Sequence, residues 1–249
     1  MPIIIKSDDE IAIMRCAGRI VAQTLQRLVE ELRPGLVVKE LDKVVRREFE
    51  KYHVVPTFLG YHGYPATVCV SVNEEIVHGI PGKRVIQDGD VVSLDLGCTY
   101  RGFVADSALT VIVGTETPET RKLVDVTKAA LDEGIKHAIA GHRLGEISHA
   151  IEAYVESHEF GVVREYVGHG VGRDMHEEPQ VPNYGPADRG PLLKKGMVLA
   201  LEPMVTTGDW HTRQLDDNWT VTTIDGSLAA HFEHTIAVTE NGAEVLTAP

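Results

Sequence analysis

The chain has 249 residues, 43% of them hydrophobic, with 24 Lys and Arg against 37 Asp and Glu for a formal charge of -13. That length and apolar share suffice for a globular core, while the acidic balance argues against a phosphate-binding surface, so no nucleic-acid partner is expected. Three cysteines, Cys16, Cys69 and Cys98, form no CxxC pair, which speaks against a disulfide framework or thiolate zinc site and fits a reducing, cytoplasmic setting. No signal peptide and no apolar run of about 18 residues is present, so no membrane partner is expected.

Ser7 and Glu10 form a capping-box pattern ahead of Ile11, Met14, Ile20, Leu25, Leu28 and Leu32, which predicts a helix ended by Pro34-Gly35. A second helix is predicted over about 38–52, and Val68, Val70 and Val72 then alternate as in a strand. The runs 91–96 and 103–113, joined by a short polar segment with Gly102, read as a hairpin. Thr117-Pro118 opens a long helix that Gly141 closes, and a further helix over about 144–158 ends near Gly161.

The second half repeats the order of the first. Shifting the chain by 106 sets Val38, Glu40, Leu41, Val45 and Glu50 against Leu144, Glu146, Ile147, Ile151 and Glu156. A shift of 107 sets His62-Gly63 on His169-Gly170 and Asp95 on Glu202. Amphipathic helices also match by chance, so the repeat stands beside that alternative. If it is real, a site is expected in the cleft between the halves.

Acidic residues stand inside apolar strand-like runs at four places: Asp95, Asp106, Glu202 before Pro203, and Glu233 after Phe232. A two-residue turn at Tyr100-Arg101 would set Asp95 directly opposite Asp106, where like charges destabilise a sheet unless a cation lies between them. The plainer alternatives are turn-flanking or sheet-edge carboxylates, and a bulge could shift the register. With His169, in "GHGVGRDMHEEPQ", these carboxylates offer oxygen ligands and one imidazole, a set suited to Mn²⁺, Fe²⁺, Co²⁺ or Zn²⁺. Four carboxylates balance two divalent ions, which can share and acidify a bridging water. "HEEPQ" itself is no HExxH zinc helix, because Gln180 replaces the second histidine and Pro179 opposes helix.

The stretches "GYHGYPATVCVSVNEEIVHGIPG", "DGDVVSLDLG", "ADSALT", "REYVGHGVGRDMHEEPQVPNY", "GMVLALEPMV" and "NWTVTTIDGSLAAHFEHTIAVTENG" together resemble the type I methionine aminopeptidases. The resemblance implies an α+β pita-bread fold: two pseudo-symmetric αβ halves, about 1–116 and 117–249, in one catalytic domain with antiparallel sheet and flanking helices. It implies that Asp106 and Glu233 bridge two metal ions, that Asp95 completes the second, and that His169 with Glu202 completes the first. His78 would bond near the scissile amide nitrogen, His176 would stabilise the tetrahedral intermediate, and Glu202 would also shuttle a proton. Tyr61, Tyr64, Cys69 and Trp219 match positions lining the family's methionine pocket. Phe58 and Met175 fall at pocket positions where some members have a cysteine and a phenylalanine.

The activity so implied is removal of the initiator methionine from nascent polypeptide N-termini when the second residue is small, by a cytoplasmic monomer in transient association with the ribosome. The alternatives are an Xaa-Pro aminopeptidase or prolidase of the same fold, and a catalytically silent pita-bread binding module.

Overall fold

The structure is a computed structural model and describes residues 2–248. Its helices are α1 (Asp8–Glu31), α2 (Lys39–Tyr52), α3 (Pro118–His137) and α4 (Leu144–Ser157). The α1 start follows from the capping box: Glu10 N donates to Ser7 Oγ at 3.3 Å and Ser7 N to Glu10 Oε2 at 3.0 Å. Such a cap contributes about 1 kcal/mol. At α3, Thr117 caps and Pro118 occupies the first turn, where its missing N–H costs nothing. No helix of the described residues is long and apolar enough to cross a membrane.

A nine-stranded antiparallel sheet runs through the molecule. Across it lie Val55–Pro56, Val91–Tyr100, Phe103–Ile112, Glu233–Thr239, Val198–Leu201, Gly168–Gly170 and Glu177–Val181, with Cys69–Val72 also on Val91–Tyr100 and Gly242–Val245 on Glu233–Thr239. The two halves meet where Phe103–Ile112 pairs Glu233–Thr239. One buried cluster draws only on residues between Ala17 and Val113, and a second only on residues between Leu123 and Val238. The repeat is visible in the helices. Leu41, Val45 and Phe49 form the buried face of α2, and Ile147, Ile151 and Val155 hold the equivalent positions of α4.

The hairpin register differs from the sequence reading. The turn is Arg101-Gly102, with φ of 50° and 79°, and Tyr100 pairs Phe103. Two successive left-handed residues match the twist of a two-residue hairpin, and Gly102 takes the second without a Cβ penalty. Asp95 therefore faces Ala108, and Asp106 faces Gly97. The slip is one residue on each strand, so parity is kept and both carboxylates still project from one face as diagonal neighbours.

One further difference is local. The helix expected to continue to Gly141 stops at His137, because Ile139 bridges Thr239 and Ala140 N bonds to Thr239 O at 3.2 Å. The strand expected from the valines at 68–72 is present as Cys69–Val72, with both of its faces buried.

Candidate active site

Strand pairing alone aligns the acidic residues. Cys69 pairs Asp95, Asp95 pairs Ala108, and Ala108 pairs Glu233, so one row across the sheet carries two carboxylates separated by a small side chain. In the neighbouring row Gly97 pairs Asp106, while Thr235 and His169 each pair Ala200 from opposite sides. Glu202 lies two residues beyond Ala200, directly after its strand ends. Directly paired residues share a face, so the five groups converge above the residues that leave them space, Gly97, Ala108 and Ala200.

Leu94 and Leu96 belong to the opposite face, in the cluster shared with α1 and α2. The glycines around His169 serve close packing: a Cβ at Gly168 would lie 2.3 Å from Ala200 O, and one at Gly170 2.2 Å from Glu178 O. His169 is thus the only side chain of its short strand, and it points into the cavity.

That cavity measures about 440 Å³. All of the side chains singled out in the sequence line it: Phe58, Tyr61, Tyr64, Cys69, His78, Asp95, Asp106, His169, Met175, His176, Glu202, Trp219 and Glu233. "HEEPQ" is not helix: His176 precedes strand Glu177–Val181, which holds the other four residues. His62 also lines the cavity, a role that sequence reasoning misses, although the 107-residue shift that aligns it with His169 is its signal.

Sequence reasoning also misses His231. It is buried beside the site with Nε2 3.9 Å from Glu202 Oε2, and neither ring nitrogen has a hydrogen-bond partner among the described residues. Burial, then His78, pushes its pKa down to about 3, so the ring stays neutral. Nothing in its spacing distinguishes it from an ordinary core histidine.

Electrostatics show what the carboxylates lack. Asp106, His169 and Glu233 are buried, and their ligand atoms fall within 4.8 Å of one another. Burial first, then Asp106 among other neighbouring carboxylates, raises the pKa values of Asp95, Glu202 and Glu233 well above the usual carboxylate range. Burial also raises Asp106, against the pull of the Thr235 hydroxyl that donates to its Oδ1 at 3.0 Å.

His169 Nδ1 is 2.9 Å from Gly170 O, which fixes the proton there and turns the Nε2 lone pair toward Asp106 Oδ2 at 3.7 Å and Glu202 Oε1 at 3.6 Å. A divalent cation between them would be held by the imidazole and both carboxylates at once. Asp95 Oδ1 is buried with no hydrogen-bond partner among the described residues, as suits a metal ligand.

The apolar side of the cavity adjoins this cluster. Tyr64 donates to Val68 O at 3.1 Å and Gly79 O at 2.9 Å, which pins its ring edge-on to Trp219 with centroids 5.0 Å apart. Burial, then Asp95, keeps the Cys69 thiol well above its ordinary pKa, so it acts as an apolar wall. His78 sits in the left-handed region at φ 60°, and burial, then His176, pushes its pKa down to about 4. A non-glycine residue held there stores strain of about 1 to 3 kcal/mol, which the surrounding structure must offset.

Opposite, His176 is carried by a loop that Glu177 ties down. Glu177 Oε1 accepts from Arg173 N at 2.8 Å, and its Oε2 accepts from Lys6 Nζ at 2.6 Å.

Comparison with known proteins decides the family. The pattern of metallopeptidase family M24 matches residues 12–240. The chain belongs to metallopeptidase family M24. The M24 chain is 54% identical over 245 residues to "Methionine aminopeptidase 1" of Bacillus subtilis, covering 98% of this chain and 99% of that protein. A crystal structure of methionine aminopeptidase from Thermotoga maritima superposes with TM-score 0.98 at 49% identity, with full coverage of both chains. Prolidase from Pyrococcus furiosus superposes with TM-score 0.80 at 24% identity over 99% of this chain and 66% of its own, a likeness of fold alone. The fold is the pita-bread arrangement of M24, and membership implies divalent metal ions, which the ligand set described above fits.

Proposed function

We propose that this M24 chain acts as a methionine aminopeptidase, releasing the N-terminal methionine of nascent polypeptides and peptides whose second residue is small. The observation that carries the reading is the direct adjacency, in one cavity, of a five-membered carboxylate and imidazole cluster to an apolar slot walled by Tyr64, Cys69 and Trp219. The high identity to proteins named methionine aminopeptidase supports it independently. The slot suits an unbranched thioether, because sulfur-aromatic contacts add about 0.3 to 1.5 kcal/mol. Phe58, Tyr61 and Met175 complete its rim.

Asp95, Asp106, His169, Glu202 and Glu233 would hold two divalent cations, since four carboxylates balance four positive charges; cobalt, manganese, iron(II) or zinc suit the donors. Such ions supply Lewis acidity and lower the pKa of a water. His176 donates to the substrate carbonyl oxygen as it gains charge, His78 bonds near the scissile amide nitrogen, and Glu202 carries a proton to the departing amine. Residues 1–249 form one catalytic unit whose halves divide near 116, in line with the two separate buried clusters. We place the enzyme in the cytoplasm as a monomer that meets its substrates by transient contact with the ribosome.

Metal stripping is the test. Methionine release from a Met-Ala peptide is expected to vanish on chelation and to return with Mn²⁺, Co²⁺ or Fe²⁺, whereas full activity in stripped protein would overturn the reading.

A further inference from the structure

A second group of metal-ligating side chains lies away from the cavity, where α3 hands over to α4. His137 is the last residue of α3, His142 lies in the connecting turn, and Glu146 occupies the first turn of α4. Their donor atoms all fall within 4.8 Å of one another, and each side chain is half-buried. None of the three lines the active-site cavity.

The cluster is partly organised already. Glu146 Oε1 accepts the Arg143 N–H at 2.9 Å, completing the α4 cap, and this leaves Oε2 2.7 Å from His142 Nδ1. That nitrogen is shielded from water, yet the close approach is off hydrogen-bond direction and it has no hydrogen-bond partner among the described residues. Two ligand atoms thus already lie side by side, and a shared cation would engage both. The Arg143 N–H above all, with His142 and His137 adding attraction, holds the Glu146 carboxyl below its usual range, so it is an ionised ligand at neutral pH.

Two imidazoles and one carboxylate are the donor set of nitrogen- and oxygen-bound transition metals rather than of Ca²⁺ or Mg²⁺. Metal–nitrogen bonds of about 2.0 to 2.1 Å place tetrahedral ligands roughly 3.4 Å apart, a distance that half-buried side chains reach by small rotations.

We propose that His137, His142 and Glu146 form a further divalent transition-metal site, distinct from the carboxylate cluster, that takes Zn²⁺ and clamps the α3–α4 turn. Three protein ligands leave a position for water, so the site is weaker than a closed four-ligand structural zinc site. An ion bound only by the folded chain raises its stability with ion concentration. The proposal does not depend on the peptidase reading.

Zn²⁺ titration of the enzyme, preloaded with its active-site metal, tests it by calorimetry beside His142→Ala and Glu146→Gln. The side-chain amide oxygen that Glu146→Gln introduces still accepts from the Arg143 N–H, so the α4 cap persists in that variant. The unmodified chain is expected to bind one more Zn²⁺ than either variant, or to bind that last ion at least about tenfold tighter, the lower end of what even an outer-shell change costs. Its thermal midpoint should rise with Zn²⁺ where those of the variants do not, and peptide turnover before Zn²⁺ addition should be equal in all three. Identical isotherms and identical Zn²⁺-dependent thermal shifts across the three proteins would overturn the proposal.

Discussion

The hydroxyl of Tyr61 lies 2.6 Å from Nδ1 of His176. Burial, then the Asp174 carboxylate, raises the phenol above its ordinary pKa, while partial desolvation, then His169, pushes the imidazole down to about 4. At neutral pH the phenol therefore keeps its proton and donates it to a neutral ring, which leaves the ring proton on Nε2. A donor to a developing oxyanion needs that tautomer. Tyr61→Phe is expected to lower kcat about tenfold, the worth of one hydrogen bond of roughly 1.4 kcal/mol, with KM changed much less. Steady-state kinetics on a Met-Ala peptide measures this, and an unchanged kcat would contradict the positioning role.

The proposed function divides the site into groups that would hold metal and groups that would act on substrate. His169→Ala and Asp106→Ala are expected to lose bound metal. His176→Ala should retain it and lose about 2.7 to 4 kcal/mol of transition-state stabilisation, as for an oxyanion donor. Glu202→Gln should also cut turnover, because an amide neither holds a cation as a carboxylate does nor carries a proton. Metal content by elemental analysis, read beside kcat, separates the two classes; equal metal loss in His176→Ala would erase the division.

The loop that carries Met175 and His176 rests on a buried ion pair, Lys6 with Glu177, whose side chains are 2% and 5% exposed. Removing one partner strands the other charge in the interior. Lys6→Met is expected to cost about 3 to 5 kcal/mol in urea unfolding, more than any surface pair could. A loss below about 1 kcal/mol would mean that water reaches Glu177.

Asp42 on α2 braces the segment leading to Cys69: its Oδ1 accepts from Thr67 N and Thr67 Oγ1, both at 2.7 Å, and its Oδ2 from Arg46 Nε at 2.7 Å. Burial pushes this carboxyl upward, but the Thr67 and Arg46 bonds together outweigh it and hold the pKa below the usual value. A depressed folded pKa contributes stability that is present above the unfolded value, about 3.9, and is lost as pH falls through the folded value. Asp42→Asn keeps an acceptor oxygen and loses the charge, so it should cost about 1 kcal/mol near neutrality and progressively less below about pH 4. Denaturant unfolding at several pH values tests this; a cost independent of pH would show that the charge is not the cause.

Much of this arrangement is legible in the sequence because it is local or repeated. Ser7 and Glu10 announce α1 by their own hydrogen bonds, and the buried positions of α2 recur in α4 at a constant shift. The carboxylates stand out as charges in apolar strands, and the family resemblance supplies their roles. What escapes the sequence depends on distant contacts or on backbone angles. The hairpin register turns on Arg101 adopting positive φ beside Gly102, and the end of α3 on a bridge from Ile139 to Thr239, about 100 residues away. His231 reaches the site because Ala229–His231 pairs with Met204–Thr206 in a short separate sheet, a pairing too brief to leave a periodic signal.

Hydrolysis of a Met-Xaa-Gly peptide panel by the metal-loaded protein separates methionine aminopeptidase specificity from its rivals in one experiment. In the proposed function the Tyr64, Cys69 and Trp219 slot would favour methionine, the carboxylate cluster would receive a free α-amine, and the centre beside His78 would admit only a small second side chain. Cleavage of Met-Ala-Gly is expected, and none of Met-Lys-Gly, Leu-Ala-Gly or formyl-Met-Ala-Gly. Cleavage that follows a proline in the second position, whatever the first residue, would contradict the proposed function and assign the chain the specificity of an Xaa-Pro peptidase.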